Sequence, residues 1–354
     1  MRLVIPIGSP DPYREAWSQF RLLLKALRTR FWDQKPFILS HLLTGRCNAN
    51  CQSCLWKLPA ESRADELTTE QVMGLYAEAV ACGFRELVLW GGEPLLRPDA
   101  PALLGFARNV GMRTTLITNG WSLADRHADV LPNVNRLILS LDAVGDLHDD
   151  IRGCSGLFRR INAALDVTLA HYGNTRVVLI CVVSKLNFNA LEPLVDFARE
   201  RKLPLLFQHM NLEDYGAGDR SENARQIALS ATESGEVSAR LRKLRISGAR
   251  LRDSTSYLEA MGRNSFEYRC HYKKVLLRVE ANGDILDCTR IAVPLVNIKQ
   301  CSLKAFLDAP GYRQFISRAE SCNRCRDIGV VELSHIWEGH LRAVVNATLG
   351  AVGR

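Results

Sequence analysis

The sequence predicts an α/β fold, a partial (β/α)6 TIM-like barrel with a small C-terminal β-hairpin/helix extension. Three observations predict it. From Phe37 to about Met210, short apolar runs alternate with amphipathic segments, the pattern of βα units around a parallel sheet. These runs amount to six β/α repeats, too few to close an eight-stranded barrel. From Arg269 to Cys325 the character changes to a pair of apolar runs around Asn282-Gly283, a hairpin signal, followed by a cysteine-bearing tail.

The elements follow in order. Strands are expected at residues 38–43, 86–90, 113–118, 136–141, 176–183 and 205–209, where apolar and β-branched residues cluster. Helices are expected at 69–82, 100–109, 124–129, 156–171 and 190–201. Thr68 and Thr69 before Glu70 and Gln71 read as a helix start. The stretch 211–261 reads as the last barrel helix, at 223–244, and a linker. The expected organisation is therefore an amphipathic N-terminal segment (1–37), the barrel (38–210), that linker region, a hairpin unit (262–330) and a C-terminal helix (331–354).

Composition narrows the class. The chain has 354 residues, 47% hydrophobic and 24% charged, which is ordinary for a globular protein. No apolar run reaches the roughly eighteen residues of a membrane-spanning helix. No export signal is evident, so eleven cysteines read as metal ligands or reduced core residues in the cytoplasm. The formal charge is +8, but the arginines are dispersed and no basic block interleaves with aromatics. No nucleic-acid partner is expected.

Cys47, Cys51 and Cys54 set the chemistry, in the run Cys-Asn-Ala-Asn-Cys-Gln-Ser-Cys after the first strand. Three thiolates within eight residues can hold three irons of a 4Fe–4S cluster, and four thiolates are the usual complement, so one iron stays open. The alternative is a structural zinc site, but no His or Cys falls between Cys54 and Cys82 to close a tetrahedron. This spacing resembles the signature of the radical S-adenosylmethionine (SAM) superfamily.

Further motifs carry that resemblance. Gly91-Gly92-Glu93-Pro94 directly follows the second strand and is similar to the motif whose backbone binds the methionine amino group of SAM. Thr118 and Asn119 end the third strand, and Ser140-Leu141-Asp142 ends the fourth. The stretch from Ser140 through Arg152 and Gly153 resembles the subfamily with SPASM or Twitch extensions. That resemblance implies Ser140 and Asp142 near the ribose and Arg152 near the methionine carboxylate, which a planar guanidinium fork suits. Without it, a turn, a strand-end cap and a surface salt bridge are the ordinary readings. The superfamily often has an aromatic residue before the third cysteine. Here Ser53 stands there, so Trp56 is the candidate to pack on adenine.

A second cysteine set, Cys270, Cys288, Cys322 and Cys325, brackets the hairpin and ends in a Cys-x-x-Cys. It resembles the Twitch region with one auxiliary 4Fe–4S cluster; a four-thiolate zinc site is the alternative. Cys82 and Cys181 read as core fillers, and Cys301 as a spare ligand or none. Cys154, beside Arg152, is either a loop cysteine or a hydrogen-atom donor.

Residues 13–32 carry an apolar stripe of Trp17, Phe20, Leu24, Leu27 and Phe31 beside Arg14, Arg21, Lys25 and Arg28. Such a helix is expected to cover the open flank of the barrel, or else to lie on a membrane surface. A second helical pattern is expected at 336–352.

The resemblance implies an enzyme that binds SAM on a 4Fe–4S cluster. A flavodoxin or ferredoxin would reduce it, SAM would be cleaved to a 5′-deoxyadenosyl radical, and hydrogen would be taken from a substrate. Oxidation with the auxiliary cluster as electron acceptor is the first expectation. Redox-neutral epimerisation or rearrangement, carbon–carbon bond formation on a lipid, and peptide modification are alternatives. The short segment before the first strand favours a small molecule or lipid over a peptide. A non-catalytic metal-binding scaffold is the rival of another class.

Overall fold

The computed structural model describes residues 12–33, 35–54, 65–210, 219–288, 293–320 and 322–345. The chain enters through α1 (Pro12–Arg28) and a short π-turn, then alternates. In order come β1 (Ile38–Leu42), α2 (Thr69–Ala81), β2 (Glu86–Trp90), α3 (Ala100–Asn109), β3 (Arg113–Thr118), α4 (Leu123–Val130) and β4 (Arg136–Ser140). They are followed by α5 (Asp146–Arg152), α6 (Leu157–His171), β5 (Arg176–Val183), α7 (Leu191–Glu200) and β6 (Leu205–His209). Beyond them lie α8 (Asp219–Ile227), α9 (Ala231–Ile246), α10 (Thr255–Arg263), α11 (Tyr272–Val275), β7 (Leu276–Val279), β8 (Asp284–Leu286) and β9 (Pro294–Asn297). Then come α12 (Leu303–Asp308), α13 (Gly311–Glu320) and α14 (Ile328–Glu338), with residues 341–345 helical after them.

One sheet runs β6-β5-β4-β3-β2-β1-β7-β8-β9, with β1 to β7 mutually parallel and β8 and β9 antiparallel. The expected partial barrel is therefore present. The period-two pattern divides its faces. Leu39, Leu87, Leu116, Leu139, Leu179 and Phe207 are fully buried with the helices in the core. The alternate residues Val88, Ile117, Ile138 and Ile180 are only half-buried, on the face turned away from those helices.

The extension is stitched into the barrel. β7 pairs with β1, and the turn between β7 and β8 uses Gly283 at φ 94°. Across the open side, Gln208 of β6 donates to the Arg326 carbonyl at 3.2 Å and accepts from the Ile328 amide at 2.8 Å. The Tyr257 hydroxyl donates to the same Arg326 carbonyl at 2.8 Å. The C-terminal segment thus bridges from β7 back to β6 where the six repeats leave a gap.

Several expectations need correction. The segment expected as one helix at 223–244 is two, because Ser230 and Glu233 form a capping box that starts α9 anew. The stretch carrying Arg152 is a short helix, α5, rather than a loop. The tail expected as one helix at 336–352 is broken: α14, capped by Asp327, ends at Gly339 at φ 80°, residues 341–345 are helical again, and 346–352 lie outside the described residues. A third extension strand, β9, pairs with β8. The stripe on α1 does not cover the barrel flank: Trp17, Phe20, Leu24, Leu27 and Phe31 are all exposed. The start at Thr68 is as read, with a capping box between Thr68 and Gln71.

Candidate active site

The cysteine loop follows β1 and is clamped from two sides. On one side, the Gly92 amide donates to the Thr44 carbonyl and the Glu93 amide to the Arg46 carbonyl, each at 2.8 Å. A Cβ on Gly91 would stand 2.4 Å from the Thr44 oxygen, and one on Gly92 would stand 2.2 Å from the Arg46 oxygen. The second strand's end can approach the loop this closely only without side chains. On the other side, the Asn50 amide donates to the Arg152 carbonyl at 2.9 Å and the Gln52 amide to Ile151 at 3.2 Å. Gly153, at φ 53°, lies where a Cβ would meet the Asn50 oxygen at 2.7 Å.

Glu93 is fully buried and knits two strand ends together. It accepts from the Thr118 hydroxyl at 2.8 Å, the Asn119 amide at 2.8 Å and the Leu95 amide at 3.0 Å. Burial raises its pKa, and those three donors pull it back. Asn119 then reaches the cysteine loop, donating from Nδ2 to Asn48 Oδ1 at 2.8 Å. Pro94 is buried at the start of a 3₁₀ turn.

Arg152 stands between a carboxylate and a thiol. Its Nε lies 2.6 Å from Asp142 Oδ2, and Nη1 donates to Cys51 Sγ at 3.8 Å. Burial opposes its charge, but Asp142 and Cys51 more than offset that, so its pKa is raised. Asp142 also accepts from the Val182 amide at 2.9 Å, and its own amide donates to His148 Nδ1 at 3.1 Å. Ser140 is half-buried at the end of β4. The Cys47 thiol is pushed up to about 11 by burial, with the charges of Cys51, Glu93 and Cys54 adding to it. Burial likewise raises Cys51, against the pull of Arg152. Cys154 is half-buried; burial raises its thiol, with Asp149 and Cys51 charges contributing. Trp56 lies outside the described residues.

The second cysteine set also comes together. The Cys270 amide donates to the Cys322 carbonyl at 3.0 Å, and the Tyr268 hydroxyl to the Cys325 carbonyl at 3.0 Å. Burial pushes the Cys270 thiol up to about 11, and the charges of Cys322 and Cys288 add to it. Cys181 is buried, as expected of a filler, whereas Cys82 is only half-buried at the end of α2. Cys301 is half-buried, its thiol against the Ser302 carbonyl at 3.6 Å.

The two sets stand toward opposite ends of neighbouring parallel strands. The first follows β1, while Cys270 precedes α11 and β7. A five-residue strand is about 16 Å long, which sets the scale of the gap. Between the two ends lie residues that the sequence reading missed. The Trp90 indole donates to Ser40 Oγ at 2.8 Å, and the buried Arg278 guanidinium sits 5.0 Å from the Trp90 ring centroid, paired with Glu280. Their signal was the alternation of β1, β2 and β7, legible only once the three strands are known to be neighbours.

Among the described residues, no group of three or more His, Cys, Asp or Glu side chains converges to hold a single metal ion. A 4Fe–4S cubane takes its thiolates at separate irons, so its ligands need not meet at a point. The donor set suits such a cluster: three soft thiols in one loop, clamped from both sides, with a guanidinium against one sulfur to balance an anionic cluster.

A partial parallel barrel with a three-thiol loop after its first strand makes that loop the candidate metal centre of an α/β protein. Residues 42–198, just under half of the chain, match the sequence model of the Radical SAM superfamily. The chain is 32% identical over 191 residues to the AdoMet-dependent heme synthase of Methanosarcina barkeri, covering 53% of this chain and 54% of that one. It is 33% identical over 168 residues to the PqqA peptide cyclase of Ruegeria pomeroyi, covering 47% and 44%. The chain spans about half the length of these curated relatives, all of them enzymes. In fold it resembles Streptococcus suis SuiB bound to S-adenosylmethionine, with a TM-score of 0.63 at 20% identity over 89% of this chain and 75% of that one. The superfamily implies a 4Fe–4S cluster and SAM. No described helix is long and apolar enough to cross a membrane.

Proposed function

We propose that this chain is a radical SAM enzyme of the Twitch type that oxidises a small-molecule or lipid substrate. The observation that carries this reading is the placement of two cysteine sets toward opposite ends of β1 and β7, with Ser40, Trp90 and Arg278 between them. Cys47, Cys51 and Cys54 would hold the first 4Fe–4S cluster, and Cys270, Cys288, Cys322 and Cys325 an auxiliary one. When bound, the first cluster with SAM supplies a 5′-deoxyadenosyl radical able to take a hydrogen atom from an unactivated carbon, and the second supplies an acceptor for the electron left on the substrate.

The protein's own part is to hold and exclude. Gly91 and Gly92 let the β2 end lie against the cysteine loop, and Glu93 fixes the strand ends from beneath. Asp142, Ser140, Thr118, Asn119 and Pro94 form the rim where SAM would lie, with Arg152 balancing its carboxylate or the thiolate beside it. A flavodoxin or ferredoxin is the electron donor that fits this chemistry. Cys154, close enough to Cys51 to feel its charge, favours epimerisation as the second reading, with the thiol giving a hydrogen atom back. Peptide substrates, named for two relatives, remain within the same chemistry.

The test is iron and sulfide content after anaerobic reconstitution. We expect about eight irons in the wild type and about four when Cys270, Cys288, Cys322 and Cys325 are all changed to Ala. Zinc in the wild type, with about four irons in both proteins, would make the second site structural and overturn the oxidative reading. Separately, Cys51→Ala should abolish 5′-deoxyadenosine formation from SAM under dithionite. A wild type that forms none, with all its iron in place, would overturn the enzyme reading.

A further inference from the structure

Helix α1 and the π-turn that follows it (Thr29–Asp33) turn their apolar stripe outward. Trp17 is 61% exposed and Phe31 63%, and Phe20, Leu24 and Leu27 between them are exposed as well. The other side of the helix faces the protein: Leu22 and Ala26 are half-buried and Thr29 is fully buried. Five large apolar side chains on one face forgo roughly 1.5–3 kcal/mol each that full burial would contribute. A patch of this kind marks an interaction site.

Charge says what covers it. Arg21 and Arg28, both exposed, fall along one edge of the stripe at helical spacing, and the exposed Arg30 lies with its guanidinium 5.7 Å from the Phe31 ring. Among residues 17 to 32 of the stripe and its edges there is no Asp or Glu. Aromatic and leucine side chains on one face with arginines along its border are the chemistry of a helix lying in a membrane interface. A helix of 17 residues is about 25 Å long and, with its polar side, suits lying flat.

We propose that α1 docks this protein on the surface of an anionic phospholipid bilayer. Trp17, Phe20, Leu24 and Leu27 enter the boundary between headgroups and acyl chains, and Arg21 and Arg28 meet the lipid phosphates. The position of α1 bears on this. The Lys25 ammonium lies 3.3 Å from where a Cβ of Gly83 would stand, just ahead of β2, and the charge of Arg21 reaches Arg85. The helix therefore lies toward the amino-terminal ends of the strands. The cysteine loop follows the carboxyl end of β1, so a docked protein keeps that mouth turned from the bilayer and open to a redox partner. The inference stands on α1 alone and does not depend on the proposed reaction.

Sedimentation with large unilamellar vesicles tests it. The full-length protein should pellet with phosphatidylcholine vesicles containing phosphatidylglycerol, and much less with pure phosphatidylcholine or at high salt. The double variant Trp17→Ser, Phe20→Ser should lose at least about tenfold in affinity. The double variant Arg21→Glu, Arg28→Glu should lose about tenfold at low salt, and less at high salt. All four side chains are exposed, so unchanged circular dichroism will show that the variants fold. Wild type left in the supernatant with anionic vesicles at low salt would overturn the proposal, as would equal pelleting of the serine variant. So would a dimer by light scattering that the serine variant converts to monomer, because the stripe would then belong to a second copy.

Discussion

Gly92→Ala should keep the cluster proposed at Cys47, Cys51 and Cys54 from assembling. The new Cβ would stand 2.2 Å from the Arg46 oxygen, 2.6 Å from its carbonyl carbon and 2.8 Å from the Gly45 oxygen. All three are backbone atoms, so no side-chain rotation relieves the clash. The loop must move, and the Gly92 amide bond to Thr44 and the Glu93 amide bond to Arg46 stretch or break. Overpacking of this kind costs about 1–3 kcal/mol, and each buried amide left without its acceptor about as much again. Because the displaced backbone leads directly into Cys47, the damage falls on thiol placement as well as on stability. Reconstituted Gly92→Ala should hold about four irons fewer than the wild type, with the second set unaffected. Gly74→Ala is the control: it lies inside α2 with nothing within 4 Å of its Cβ, and should be neutral or stabilise by up to about 1 kcal/mol. Full iron loading in Gly92→Ala would show that the loop is not held by this contact.

Glu93→Ala should destabilise the domain by about 3–6 kcal/mol. The substitution strips one acceptor group from the Thr118 hydroxyl and the Asn119 and Leu95 amides in a fully buried place. Each orphaned donor costs about 1–3 kcal/mol, and the total approaches the whole stability of an ordinary domain. Glu93→Gln keeps the shape and one acceptor oxygen, and should cost roughly half as much. The pH dependence has a definite sign. Burial raises the folded-state pKa of Glu93 above its unfolded value, so the wild type loses this contribution as pH rises from the unfolded pKa through the folded one. The gap between wild type and Glu93→Gln should therefore narrow with rising pH. Urea midpoints of the three proteins across that range check both statements, and equal midpoints for wild type and Glu93→Ala would refute the first. Under the proposed function, SAM affinity of the reconstituted variants should fall in the same order, because Thr118 and Asn119 lose the group that fixes them.

Much of this architecture is legible in residues a few places apart. Strand and helix periods placed β1 to β6 within a residue of their ends, and Thr68 with Gln71 marked the start of α2 through a local capping box. The three-cysteine spacing and the glycine pair after β2 are contiguous motifs, so the candidate centre could be read without coordinates. Where several local signals competed, the reading slipped. Ser230 and Glu233 interrupt a long polar stretch that looked continuous, and Asp146 to Arg152 is too short a helix to show a period.

Other features depend on which distant elements become neighbours. Arg152 reaches Cys51 across 101 positions, and Gln208 reaches Arg326 across 118. Nothing in the pattern around either residue names its partner. Ser40, Trp90 and Arg278 meet only because β7 inserts beside β1 in parallel, a choice of strand order that period-two alternation does not encode. The stripe on α1 makes the same point from the outside: its amphipathicity is written in the order of residues, but the direction it faces is not. Spacing and periodicity are properties of the chain within a turn or a strand. Pairing, register between strands and the side of a helix that stays exposed are settled by the competition of all surfaces for burial, which exists only in the folded molecule.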